Sequence, residues 1–120
     1  MKKILIAEDN DSNYILMSYI LKKYFEYERA KNGQEAVEKA KANQFDAILM
    51  DIKMPIMDGL EATKAIREFN SEVPIVALTA NAFDSDRQAA MEAGCNDFLA
   101  KPVSSDVCLA TLEKIFGKLG

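Results

Sequence analysis

Residues 45–59 read FDAILMDIKMPIMDG, and this stretch decides the fold. Ala47–Met50 is an uninterrupted apolar run, which is typical of a strand buried on both faces of a parallel sheet. Asp51 follows at once. An ionised carboxylate is costly inside such a strand but is tolerated where the strand leaves the sheet. We therefore expect Asp51 at the carboxyl end of a central strand.

Three other short apolar runs are also followed by polar residues. The pairs are Ile4–Ala7 before Glu8 and Asp9, Ile75–Leu78 before Thr79, and Phe98–Ala100 before Lys101. In an open parallel sheet, ligands gather outside the carboxyl ends of the strands. The sequence therefore predicts one site that combines three acids, a hydroxyl and an ammonium group.

The segments between these runs have helical periodicity, apart from a weak second strand at Tyr27–Ala30. The predicted helices are Ser12–Tyr24 (capped by Asp11 or Ser12), Gln34–Ala42, Leu60–Phe69, Asp84–Ala93 and a last helix capped by Ser104 or Ser105. The residues expected to face the core are Ile15, Met17, Tyr19, Ile20, Leu21 and Tyr24 in the first helix, and Val107, Cys108, Leu112, Ile115, Phe116 and Leu119 in the last. Alternating strands and helices predict an α/β domain with a parallel sheet covered on both faces, spanning residues 1–120.

The bulk composition narrows the functional class. The chain has 120 residues, a formal net charge of −4 and no histidine. Phosphate backbones require a basic face, so direct binding to nucleic acid is not expected. Because the chain has no histidine, any histidine chemistry must come from a partner protein.

The cysteines and the N-terminal segment indicate a cytoplasmic protein. Cys95 and Cys108 lack a metal-binding spacing, and unpaired buried thiols fit a reducing compartment. The segment Met1–Lys3 has no signal-peptide pattern, and no apolar stretch is long enough to span a bilayer. Membrane insertion is therefore not expected.

The acids predict a metal site. Glu8, Asp9 and Asp51 would repel one another if all three were ionised at one edge of the sheet. A hard divalent cation with oxygen ligands relieves this repulsion. We therefore expect Mg²⁺, for which Mn²⁺ could substitute.

Four segments together resemble the receiver domains of response regulators, from Lys3 to the last helix. They are Ile6–Asn10 (IAEDN), Met50–Gly59 (MDIKMPIMDG), Leu78–Ala82 (LTANA) and Lys101-Pro102. The resemblance implies a flavodoxin-like (βα)5 three-layer sandwich whose parallel strands lie in the order 2-1-3-4-5. The motif style is most similar to receivers of hybrid histidine kinases and phosphorelays.

The resemblance also implies roles for the residues at the strand ends. Asp51 matches the phosphoacceptor, a carboxylate nucleophile that forms an acyl phosphate. Asp9, Asp51, the backbone carbonyl of Lys53 and, through water, Glu8 match the Mg²⁺ ligands. Lys101 and Thr79 would each bind a phosphoryl oxygen.

Further positions match the family's switch and its tuning residues. Thr79 and Phe98 match the residues that move after phosphorylation and alter the surface formed by the fourth helix, the fifth strand and the last helix. Lys53 and Asn81 match the positions that tune hydrolysis of the acyl phosphate. The Lys101-Pro102 peptide bond is expected to be cis, as it usually is in the family.

The implied partner is a sensor histidine kinase or a histidine phosphotransfer protein, together with an unidentified protein target. The chain would be a regulator that catalyses only its own phosphotransfer and dephosphorylation. Two alternatives remain: a docking module that is not phosphorylated and, more distantly, a Mg²⁺-dependent phosphatase with an Asp nucleophile. That phosphatase needs a second acid two residues after the nucleophile, where this chain has Lys53.

Overall fold

Strands and helices alternate along the chain, as the sequence predicts. The computed structural model describes residues 1–80 and 84–119. The elements are β1 (Lys3–Ala7), α1 (Asp11–Leu21), β2 (Glu26–Ala30), α2 (Gly33–Ala42), β3 (Ala47–Asp51), α3 (Gly59–Phe69), β4 (Ile75–Thr79), α4 (Asp84–Ala93), β5 (Asp97–Ala100) and α5 (Ser105–Phe116).

The five strands form one parallel sheet in the order β2-β1-β3-β4-β5, which confirms the predicted flavodoxin-like topology. Neighbouring strands end at nearly the same level. The last paired residues are Ala7 with Met50, Asp51 with Leu78, and Thr79 with Ala100. The residues that follow β1, β3, β4 and β5 therefore meet at one edge of the sheet.

Alternate residues of each strand face opposite sides, so the sheet has two hydrophobic cores. Ile4 and Ile6 of β1 pack with residues of α1 and α5 on one side. Leu5 and Ala7 pack with residues of α2, α3 and α4 on the other. The sheet is thus the middle of three layers. Because both of its faces are covered by apolar cores, polar side chains are accommodated where the strands leave the sheet.

The start of α1 differs from the prediction. Asn10 caps the helix, because its side-chain oxygen accepts a hydrogen bond from the Asn13 N–H at 2.9 Å. Asp11 is therefore the first helical residue, and neither Asp11 nor Ser12 is the cap. At the last helix, Ser104 is the cap, one of the two residues predicted for that role.

Three residues assigned to the core from periodicity are exposed. Ile15 and Tyr19 of α1 are 52% and 65% exposed, and Val107 of α5 is 55% exposed. The buried stripe of α1 is Met17, Ile20 and Leu21, at spacings of three and four residues. Ile15 and Tyr19 lie off this stripe, so their hydrophobicity does not serve the core.

Candidate functional site

Three carboxylates lie together where β1 and β3 leave the sheet. One oxygen from each of Glu8, Asp9 and Asp51 lies within 4.8 Å of the others. Glu8 and Asp51 are almost completely buried, at 0% and 4% exposure, whereas Asp9 is exposed. The strand ends therefore bring together the three acids that the sequence predicts.

Asp51 is held through both of its oxygens. The backbone N–H of Lys53 donates to Oδ1 at 3.2 Å, and the Nζ of Lys101 donates to Oδ2 at 2.8 Å. Lys101 follows β5, and its own backbone N–H donates to the Thr79 carbonyl at 2.7 Å. The ends of β3, β4 and β5 are therefore joined through Lys101.

Lys101 also forms an ion pair with Glu8. Its Nζ lies 2.9 Å from Glu8 Oε1, but the approach does not have the geometry of a hydrogen bond, and Oε1 has no other partner among the described residues. Burial disfavours the ammonium form, yet the contacts with Asp51 and Glu8 outweigh it and raise the pKa of Lys101. Lys101 therefore stays charged.

The crowding of buried charges at this site changes the pKa of Glu8. Burial, followed by the neighbouring Asp51, raises the pKa of Glu8 to about 7, although Lys101 acts in the opposite direction. One ammonium group does not fully compensate two buried carboxylates.

The acid cluster fits a hard divalent cation. The three side chains offer only carboxylate oxygens, which Mg²⁺ prefers to nitrogen or sulfur ligands. The buried Glu8 Oε1 accepts no hydrogen bond among the described residues. It could therefore contact a cation or accept a hydrogen bond from a metal-bound water. The residues present therefore suit Mg²⁺.

Two glycines allow the loop between β3 and α3 to pack beside this cluster. A Cβ on Gly59 would collide with the carbonyl of Asp51, and one on Gly33 would collide with the carbonyl of Met57. The Gly59 N–H donates to the Ile52 carbonyl at 2.8 Å, and the Gly33 N–H donates to the Met57 carbonyl at 2.9 Å. The loop backbone is thus fixed at both ends.

An open cleft of about 640 Å³ lies over the exposed side of the cluster. Its lining residues are Asp9, Ile52, Lys53, Met54, Pro55, Asp58, Leu60 and Asp86. Asp58 also caps α3, because its Oδ1 accepts from the Glu61 N–H at 2.8 Å. The cleft gives a molecule from solution access to Asp9, the exposed acid of the cluster.

The remaining predicted residues lie on the β4 and β5 side. Thr79 ends β4 and is 2% exposed. Phe98 of β5 is half-buried, and the guanidinium carbon of Arg87 lies 5.0 Å from the centre of its ring. The Lys101-Pro102 peptide bond is cis. Asn81 lies outside the described residues.

Sequence reasoning missed Arg29 of β2. Its Nε donates to the Glu8 carbonyl at 3.1 Å, and a second guanidinium nitrogen donates to the Asp9 carbonyl at 3.2 Å. A third nitrogen pairs with Asp11 at 2.8 Å. Arg29 therefore holds the segment that carries two of the three acids, and only the pairing of β2 with β1 reveals this role.

A family model described as the response regulator receiver domain matches residues 4–113. The chain belongs to this family. It is 42% identical over 120 residues to hybrid signal transduction histidine kinase M of Dictyostelium discoideum, covering 93% of this chain and 5% of that protein. It is 41% identical over 140 residues to response regulator mcs4 of Schizosaccharomyces pombe, covering 92% of this chain and 26% of that protein. The chain thus spans a small part of these receiver-containing signalling proteins.

Two solved receiver domains have the same fold. The receiver domain of sensor histidine kinase PA1611 from Pseudomonas aeruginosa PAO1 is 38% identical, with a TM-score of 0.90 and 98% coverage of both chains, and has a magnesium ion in its active site cleft. The receiver domain of Saccharomyces cerevisiae Ssk1, co-crystallised with the histidine phosphotransfer protein Ypd1, is 37% identical, with a TM-score of 0.89 and coverage of 94% of this chain and 87% of that chain.

None of the helices within residues 1–80 and 84–119 is long and apolar enough to cross a membrane.

The raised pKa of Glu8 predicts an unusual dependence of stability on pH. Folded Glu8 binds its proton more tightly than unfolded Glu8, so in metal-free buffer the free energy of unfolding should fall as pH rises through about 7. The free energy of unfolding falls by about 3 kcal/mol at most, and it falls between the unfolded pKa of 4.5 and the folded pKa of about 7. Urea unfolding at several pH values measures it.

The Glu8→Gln variant should lack this pH dependence, because its side chain does not titrate. Glu68→Gln removes an exposed acid of α3 and should keep the wild-type profile. Equal pH profiles for wild type and Glu8→Gln would contradict the assignment of the proton to Glu8.

Proposed function

We propose that residues 1–120 form a phosphoacceptor receiver domain of a two-component or phosphorelay system, in which Asp51 accepts a phosphoryl group from a phosphohistidine. The observation that carries this proposal is the environment of Asp51. Its carboxylate is almost completely buried, is held by Lys53 N–H and Lys101 Nζ, and lies in one cluster with Asp9, which lines an open cleft. A carboxylate fixed at such a position is an oriented nucleophile.

The transfer needs one bond formed and one broken. An Asp51 oxygen bonds to phosphorus while the bond between phosphorus and the histidine nitrogen breaks; that nitrogen keeps the bonding electrons and takes a proton. The histidine belongs to another protein, because this chain contains none. Attack by water on the acyl phosphate later releases phosphate and restores the Asp51 carboxylate.

Asp9, Asp51, the backbone carbonyl of Lys53 and, through water, Glu8 would hold Mg²⁺ or Mn²⁺. When bound, the cation neutralises charge on the phosphoryl oxygens and orients them for transfer. The proximity of three acids at one strand edge supports this assignment.

Lys101 and Thr79 would bind the transferred group. Before transfer, Lys101 Nζ donates to Asp51 Oδ2. After transfer, the Asp51 carboxyl group is part of a mixed anhydride and no longer carries a negative charge, so the ammonium group is expected to pair with a phosphoryl oxygen. The Thr79 hydroxyl, at the end of the adjacent strand, would donate to another.

The signal would then pass through Phe98 to the surface formed by α4, β5 and α5. Phe98 is half-buried, and Arg87 of α4 covers one face of its ring, a contact that stabilises the observed position. If Thr79 moves toward the phosphoryl group and Phe98 follows it inward, the contact between Phe98 and Arg87 would be weakened. This couples the site to α4. Lys53, exposed in the cleft, and Asn81 are proposed to tune hydrolysis.

The proposed setting is cytoplasmic, and the proposed partner is a sensor histidine kinase or a histidine phosphotransfer protein. Relatives that are hybrid kinases, and a related receiver domain crystallised with Ypd1, support this partner class. In this proposal the chain is a regulator that catalyses only its own phosphotransfer and dephosphorylation. Its output would be binding to a protein target or transfer of the phosphoryl group to another histidine.

Incubation with acetyl phosphate tests the acceptor. Intact mass should show one phosphoryl adduct on wild type in the presence of Mg²⁺ and none in EDTA, because the acids repel the phosphate without a cation. Asp51→Asn should give no adduct. Asp58→Asn is the matched control, since asparagine also caps helices and this change leaves the cluster intact. A folded wild type that binds Mg²⁺ but gains no adduct would indicate a docking-only domain.

Removal of the Arg87 contact should favour the inward position of Phe98. A cation–π contact contributes ~0.5–1 kcal/mol, so Arg87→Ala should speed phosphorylation by acetyl phosphate about two- to fivefold if the inward state reacts faster. Arg87→Lys retains a cation and should remain nearer to wild type. Identical rates for wild type and Arg87→Ala would show that this contact does not bias the switch.

A further inference from the structure

Ile56 has an unusual backbone conformation beside the cleft. Among residues 1–80 and 84–119 it is the one non-glycine residue with a positive φ, 71°. The Met57 N–H donates to the Pro55 carbonyl at 2.7 Å, which closes a three-residue turn around Ile56. A γ-turn with positive φ is rare and strained.

Isoleucine is a poor residue for this conformation. The left-handed region is open to glycine and tolerated by asparagine, whereas a β-branched side chain there clashes with its own backbone. Burial does not compensate, because Ile56 is 82% exposed. This side chain therefore neither suits the backbone conformation nor packs in the hydrophobic core.

The shape of the loop does not require isoleucine. Hydrogen bonds from Gly33 N–H to the Met57 carbonyl and from Gly59 N–H to the Ile52 carbonyl fix the backbone on both sides of the turn. Neither bond involves the side chain of Ile56. Asparagine or glycine would make the same turn with less strain, so the exposed apolar group itself needs an explanation.

Ile56 lies beside the cleft that reaches Asp9. Pro55, which precedes Ile56, lines this cleft, as does Asp58 two residues after it. Leu16, 41% exposed, lines a small second pocket together with Glu8 and Lys101, so apolar groups flank the acid cluster on two sides. A folded protein that presents a histidine at this cleft would place the surface around that histidine close to Ile56.

We propose that Ile56 is an apolar contact for the protein that brings the phosphohistidine to Asp51. This inference rests on the proposed function and adds a partner contact to it. Burial of the side chain in the complex offsets the backbone strain of the free protein. A small donor such as acetyl phosphate enters the cleft without needing this contact.

The test compares a protein donor with a small donor. The protein donor is the fastest toward wild type in a panel of phosphorylated histidine phosphotransfer proteins that includes Ypd1; the small donor is acetyl phosphate. Ile56→Asn should slow transfer from the protein donor about tenfold at subsaturating concentration, because a buried apolar side chain is lost. The rate with acetyl phosphate should stay at the wild-type value.

Two further readouts separate contact from conformation. Ile56→Asn should raise the melting temperature by about 4 °C, because asparagine relieves the turn. Ile56→Val keeps an apolar β-branched group and should keep most of the transfer rate. Phe69→Gln, which removes an exposed apolar residue at the end of α3, outside the surface formed by α4, β5 and α5, should leave both rates unchanged.

Three outcomes would overturn the inference. Transfer from the protein donor to Ile56→Asn at the wild-type rate would show that no contact was lost. An equal fall in both rates would assign Ile56 to the shape of the loop. Failure of every protein donor with wild type, while acetyl phosphate still modifies Asp51, would remove the partner contact but leave Asp51 as the acceptor. The proposed function itself fails if acetyl phosphate gives no adduct or an adduct at another residue.

Discussion

One ammonium group beside two buried carboxylates is the interaction on which the site depends. Lys101 Nζ lies 2.8 Å from Asp51 and 2.9 Å from Glu8, at the edge where four strands end. Without Lys101, two acids would face a nearly apolar interior with no counter-charge, which costs several kcal/mol per group. Even with it, the pKa of Glu8 is raised. The fold therefore accommodates this cluster, although Lys101 alone does not neutralise the charge of both buried carboxylates.

This incomplete charge compensation favours the binding of a cation at the cluster. A cation meets oxygens that already lie close together, so little rearrangement opposes binding. The end of β4 is joined to Lys101 through the Thr79 carbonyl. In the proposed function, a phosphoryl group on Asp51 would compete for Lys101, so this change of charge would act directly on β4 and β5. The Arg87 contact on Phe98 places α4 next in the same chain of contacts.

The sequence predicts the parts of this account that depend on single-chain patterns. Apolar runs that end in Asp51, Thr79 or Lys101 predict both the strands and the shared edge, because parallel strands have one common direction. Contacts between distant segments could not be predicted in this way. Arg29 holds the β1–α1 segment only because β2 pairs with β1. The strain at Ile56 could not be predicted either, because the sequence MPIMDG does not indicate the sign of a backbone dihedral angle.

The central claim is that the buried strand-end carboxylate of Asp51, and no other acid of the cluster, accepts the phosphoryl group. Reduction of the phosphorylated protein with borohydride tests this most directly, because it converts an aspartyl phosphate into homoserine at the modified position. Peptide mapping by mass spectrometry then locates that residue. The account predicts homoserine at position 51 alone. Homoserine at Asp9, with Asp51 unmodified, would contradict it.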